Sequence, residues 1–229
     1  MIRPIFSKLF AAILCLCLPV AAQMQESPAW ADTFVSRLAA LALMQSLNAN
    51  ILSSPSATLS LEKWCRDHKL AREPKIVARS IRNGVKAPTT EQRKRLQINN
   101  EVQVKYRRVQ LHCGDKVLSE AENWYVPSRL TEEMNRLLDT SETPFGKVVQ
   151  PLGPYRRTFA TKMLWAPLPE GWELEPPRSS PGTTNQLLAI PDALFEHHAL
   201  LYSREHKPFA EVYEIYQRQL LAFPHPRAY

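Results

Sequence analysis

The chain has 229 residues, 45% hydrophobic and 22% charged, with a formal net charge of +7. That length suits one domain with its own core. Lysines and arginines fall in short clusters rather than one tract, and no zinc finger, RNP motif or basic heptad helix accompanies them, which sets nucleic-acid binding aside.

Met1 to Lys8 forms a basic n-region, Leu9 to Leu18 an apolar run interrupted only by Cys15 and Cys17, and Val20-Ala21-Ala22 a small-residue cleavage site. This is the pattern of a Sec signal peptide over residues 1–22, and the apolar run is short for a bilayer span. The sequence therefore predicts a periplasmic or secreted mature chain, 23–229, forming a single domain with no stable membrane insertion after cleavage. Two cysteines remain, Cys65 and Cys113. An oxidising compartment permits a disulfide, and two separately buried thiols fit the sequence equally.

Residues 31–47 read as a helix, with Phe34, Leu38, Leu41, Gln45 and Leu47 near one face. A break at Ser53-Ser54-Pro55 leads into a second helix through Leu61, Trp64 and Cys65, capped by Ser56 or Thr58. Residues 75–83 form a candidate strand ending in the Asn83-Gly84 turn signal. Lys86 to Leu96 is a loop or a short charged helix. Val102, Val104 and Tyr106 alternate with polar residues, and Val109 and Leu111 continue in the opposite phase, which predicts a bulge between the two runs. Cys113-Gly114-Asp115-Lys116 turns the chain back into a strand that Pro127 stops. A helix follows, with Glu132 and Glu133 in its first turn and Leu130, Met134, Leu137 and Leu138 on one stripe. Strands are expected around Val148-Val149 and over 158–164, then a proline-rich insertion at about 166–186. A last hairpin joins Ala199–Tyr202 to Phe209–Tyr216. Hairpins interspersed with helices predict an α+β fold with a mostly antiparallel sheet.

Several chemistries find no motif. No Gly-rich phosphate loop, G-x-S-x-G elbow, H-E-x-x-H or paired C-x-x-C occurs, and the chain has only 6 glycines to build such loops. His197-His198 beside Glu196 is the one His-rich spot. Neighbouring strand residues point to opposite faces, so a shared metal is not expected. No metal or other cofactor is implied.

Four strings occur in a telling order: Tyr106-Arg107-Arg108-Val109-Gln110-Leu111, Thr143-Pro144-Phe145-Gly146, Tyr155-Arg156-Arg157, and Lys207-Pro208-Phe209 leading to Glu211 and Glu214. In that order and spacing they resemble the chorismate pyruvate-lyase family, over roughly 48–217. The resemblance implies a six-stranded antiparallel sheet with helices on one face, two of them flaps over an internal pocket. It implies a small aromatic or cyclohexadienyl carboxylate as partner, and a reaction in which chorismate yields 4-hydroxybenzoate and pyruvate. Carried over, the family's substrate arginine falls on Arg107 or Arg108, and its glutamate on Glu214 or Glu211. Ala57, Thr58, Phe145, Gly146 and Arg157 become substrate-binding positions. The family's Trp-x-Arg-Arg-Ser stands here as Phe195-Glu196-His197-His198-Ala199, and the family's cytosolic enzymes lack the leader and the proline-rich insertion.

These residue types suit that chemistry. An Arg fork accepts a carboxylate bidentately, and a carboxyl group desolvated in the same pocket can hydrogen-bond a ring hydroxyl or assist proton transfer. Aromatisation supplies the driving force, so positioning is the main demand on the protein. A second reading keeps the pocket and drops the turnover: a periplasmic binding or accessory protein for an aromatic carboxylate.

Overall fold

The computed structural model describes residues 30–81, 84–174 and 186–224. The expected signal segment, Asn83 of the expected turn and much of the proline-rich insertion lie outside the described residues.

Six strands form one antiparallel sheet: β1 (Ile76–Ser80), β2 (Lys105–Cys113), β3 (Lys116–Tyr125), β4 (Tyr155–Met163), β5 (Ala193–Tyr202) and β6 (Pro208–Gln217). Their order is β1-β2-β3-β6-β5-β4, so the chain closes the sheet by laying β6 between β3 and β5. The fold is α+β with a six-stranded antiparallel sheet, as expected. The β2–β3 hairpin turns at Gly114, whose φ of +60° favours a residue without a side chain.

Five helices are present among the described residues: α1 (Phe34–Ser53), α2 (Ala57–Asp67), α3 (Thr90–Arg95), α4 (Glu132–Thr140) and α5 (Phe145–Val148). Thr33, Ser56, Thr89 and Thr131 cap α1 to α4, each accepting a backbone N–H of the first turn. One face of the sheet, the cavity face, buries α1 and α2, the latter through Leu61, over Val109, Leu111, Ala121 and Tyr216. It also buries α4 and α5 over Tyr125, Val212 and Leu201. Cys65 of α2 and Cys113 at the end of β2 form a disulfide on this side. No described helix is long and apolar enough to cross a membrane.

Four expectations change. In α1 the buried stripe runs Ser36, Ala40, Met44, Leu47 and Ile51. That helix is apolar on several faces, so periodicity chose the wrong one. Val148-Val149 is not a strand: the run is too short to pair, and it ends α5 and enters a 3-10 turn. The bulge in β2 lies between Leu111 and His112, beyond the arginines. Finally, α3 lies over the opposite, outer face, where Arg95 reaches Glu211.

Candidate functional site

A cavity lies between the cavity face of the sheet and the adjoining ends of α2 and α5. Its floor is apolar: Val109, Leu111, Ala121 and Val212 from the strands, with Phe145 and Ala57 as cover. The two covering helices meet closely. A Cβ at Gly146 would stand 2.8 Å from Ser56 Oγ and 3.0 Å from Thr58 Oγ1, so only glycine lets α5 approach the N-terminus of α2. Lys147 of α5 also pairs with Glu62 of α2, which accepts the backbone N–H of Ile76 as well. The envelope measures about 500 Å³ with its mouth included, but only about 40 Å³ is open enough for a water molecule. That space suits a few waters. An aromatic ring enters only if α2 and α5 part.

The charged residues of this cavity are Arg156 and Glu214. Strand alternation places Glu214 beside Val212 and Tyr216 on the cavity face, and places Glu211 and Tyr213 on the other. Arg156 Nη2 donates to Glu214 Oε2 at 2.6 Å, and Tyr216 Oη donates to the same oxygen at 2.9 Å. Both side chains of the ion pair are nearly fully buried, at 3% and 9% exposure. Glu214 Oε1 and Arg156 Nη1 make no hydrogen bond among the described residues. Burial opposes the Arg156 charge, but Glu214 and Tyr216 outweigh it and its pKa rises. Burial and the neighbouring carboxylate keep Tyr216 neutral, with its pKa well above the ordinary value.

His197 lies directly across from Glu214 in the β5–β6 register, fully buried. Its Nε2 is 2.7 Å from Asn48 Oδ1 on α1, which makes Nε2 the donor, and its Nδ1 is buried without a hydrogen-bond partner among the described residues. Burial holds its pKa down at about 4, so it is neutral near pH 7. His198 faces the other way and stacks on Tyr213.

The expected site residues are thus distributed unevenly. Ala57, Thr58, Phe145, Gly146 and Glu214 line the cavity. Arg107 is on the cavity face but not among the lining residues. It turns under the loop after α4, where Nη2 reaches Ser141 O and Thr143 O at 3.4 Å and Nη1 is buried without a partner. Burial lowers its pKa. Three positions need correction. Arg108 is on the outer face, paired with Glu120, because β2 runs through both arginines without a bulge. Glu211 is on the outer face with both carboxylate oxygens taken by Arg95. Arg157 is exposed, and its neighbour Arg156 turns inward instead. Asn123, Arg156, Tyr216 and His197 were missed as site residues. The alternation of Tyr155, Arg157 and Phe159 as one exposed row was the signal for Arg156, but it needed the parity of an edge strand to be known.

No protein-family model matches the chain. The uncharacterized protein y4mC of Sinorhizobium fredii is 43% identical over 222 residues, covering 96% of this chain and 92% of that protein. Among solved structures, PhnF of Mycobacterium smegmatis is similar over 78% of this chain and 71% of its own, with 11% identity and a TM-score of 0.47. The possible transcriptional regulator YydK of Bacillus subtilis covers 67% of this chain and 62% of its own, at 17% identity and a TM-score of 0.40. The ligand-binding domain of a putative GntR-family regulator from Bordetella bronchiseptica covers 68% and 88%, at 16% identity and a TM-score of 0.40.

Proposed function

This chain belongs to the same family as y4mC, and we propose that it binds a small aromatic or cyclohexadienyl carboxylate in the cavity under α2 and α5. One observation carries the reading: a buried ion pair, Arg156–Glu214, with one carboxylate oxygen unbonded among the described residues, in the wall of a mainly apolar cavity. Burying such a pair stabilises a fold weakly or not at all, whereas apolar walls with a few convergent polar groups are what a small-molecule site requires. With Oε2 occupied twice, Glu214 offers Oε1 to a ligand that supplies a hydroxyl donor. Arg107, which makes no ion pair among the described residues and feels Asp139 only at a distance, sets a positive field on the β2 side. A ligand hydroxyl toward Glu214 and a carboxylate toward β2 satisfy both ends.

The chorismate-lyase reading is the finer form of this proposal, favoured by the order of the four strings and by the place of Glu214. In that reaction the ether C–O bond of chorismate breaks, and the hydrogen on the hydroxyl-bearing ring carbon is transferred to pyruvate as the ring becomes aromatic. The site would hold the ring in the eliminating conformation, and closure of α2 and α5 would exclude water. Export is proposed with it: the leader-like residues 1–22 and the Cys65–Cys113 disulfide both support an oxidising compartment.

Two measurements on the purified mature chain separate these forms. Titration with 4-hydroxybenzoate gives saturable binding if the cavity is a carboxylate site, and absence of binding removes the whole proposal. Incubation with chorismate, followed by 4-hydroxybenzoate absorbance, gives product if the lyase form holds. Binding without product leaves a non-catalytic binding or accessory protein.

A further inference from the structure

Asn123 is a polar side chain where the surrounding pattern calls for an apolar one. It is 3% exposed, on the cavity face of β3 between Ala121 and Tyr125, and it lines the cavity. Its single hydrogen bond among the described residues is a long one, Nδ2 to Arg107 O at 3.4 Å, which leaves an amide hydrogen and Oδ1 over. Both atoms open onto the cavity rather than being sealed in, so their remaining partners come from water or a ligand there. Hydrophobic clusters flank it on both sides, a setting in which Leu or Val is the common residue.

The register fixes what that something must span. Ala121 pairs with Glu214, and Asn123 with Val212. Asn123 is therefore the diagonal neighbour of Glu214, with Cα atoms roughly 7–8 Å apart and both side chains leaving the same face. Once α2 and α5 part, a six-membered ring with polar groups at its two ends matches that span, one group on each residue. Their chemistries also differ. Glu214 Oε1 can only accept while the carboxylate is ionised, so it takes a hydroxyl. Asn123 has an N–H to donate and lies beside Arg107 in the β2–β3 pairing, so its end of the cavity favours an anion.

We propose that Asn123 is a specificity-determining ligand contact that holds the carboxylate of a para-hydroxylated aromatic or cyclohexadienyl acid, while Glu214 holds its hydroxyl. This rests on the carboxylate-binding reading and adds an orientation and a residue to it.

The test is calorimetric titration of the full mature chain with 4-hydroxybenzoate, benzoate and phenol, in wild type, Asn123→Leu and Asn123→Asp. Asn123→Leu is expected to weaken both carboxylates by about ten- to a hundredfold, the loss of one charge-assisted hydrogen bond, and to leave phenol unchanged. Asn123→Asp is expected to abolish carboxylate binding while phenol still binds, which also shows that the cavity is intact. Wild-type affinity for 4-hydroxybenzoate in Asn123→Leu overturns the inference alone, as does an equal loss for phenol. If wild type binds none of the three probes, the carboxylate-binding reading falls and this inference falls with it.

Discussion

Strand β6 contributes two buried glutamates three positions apart, and strand parity sends them to opposite faces of the sheet. Glu211, on the outer face, gives both oxygens to Arg95: Nε to Oε2 and Nη2 to Oε1, each at 2.8 Å. That pair is complete, and it fastens α3 to the sheet. Glu214, on the cavity face, takes two donors on one oxygen and, among the described residues, none on the other. A carboxylate forked by one guanidinium has both oxygens engaged away from the cavity, whereas one with an open oxygen on the cavity side can accept from a ligand. Each carboxylate accepts two hydrogen bonds, so the difference between a structural ion pair and a candidate site lies in how they are distributed over the two oxygens, not in their number or in burial, which is similar in the two glutamates.

The comparison can be broken by removing each arginine in turn. Arg156→Met leaves the Glu214 charge in the cavity wall with Tyr216 alone, and is expected to cost about 3–5 kcal/mol in urea unfolding. Next in size is an effect of pH on the cavity face. The folded pKa of His197, held at about 4 by burial, lies below its ordinary 6.5. Above pH 6.5 the ring is neutral whether the chain is folded or not, and stability is unaffected. As pH falls from 6.5 toward 4 the unfolded chain takes up a proton that the fold refuses, so stability declines by about 1.4 kcal/mol per pH unit. Urea midpoints between pH 7 and 5 measure this slope, and His197→Gln reduces it. Arg95→Met is expected to cost less than Arg156→Met, roughly 1.5–3 kcal/mol for its charge-assisted hydrogen bonds, because the Arg95 side chain is 34% exposed and water can replace part of what is lost. An Arg95→Met cost equal to that of Arg156→Met would erase the distinction between the faces.

The fold was readable wherever local chemistry and global packing agree. The β2–β3 hairpin follows from Cys113-Gly114-Asp115-Lys116 and the alternation on either side, and α2 from its Ser56 cap. The helix stripe through Met134 and Leu138 also appears as expected. The buried face of α1 was not readable, because Leu38 and Leu41 compete with Ala40 and Met44 for the core and only the sheet beneath decides. The candidate site was legible by half. Glu214 and the covering residues Ala57, Phe145 and Gly146 could be found by motif order. Choosing Arg156 over Arg157, or Glu214 over Glu211, required strand parity, which a single unplaced residue reverses. Val102 and Val104 set a misleading phase for the arginines because they precede β2 and belong to no strand. Asn123 carried no signal in sequence, since an Asn between Glu122 and Trp124 reads as surface until its face is known.

Titration of 4-hydroxybenzoate into wild type, Glu211→Gln and Glu214→Gln tests the central claim most directly. Glu211→Gln is expected to keep wild-type affinity, and Glu214→Gln to lose about tenfold or more, because its amide supplies no charged acceptor to the ligand hydroxyl. Equal affinities in all three proteins, or a loss confined to Glu211→Gln, would contradict it.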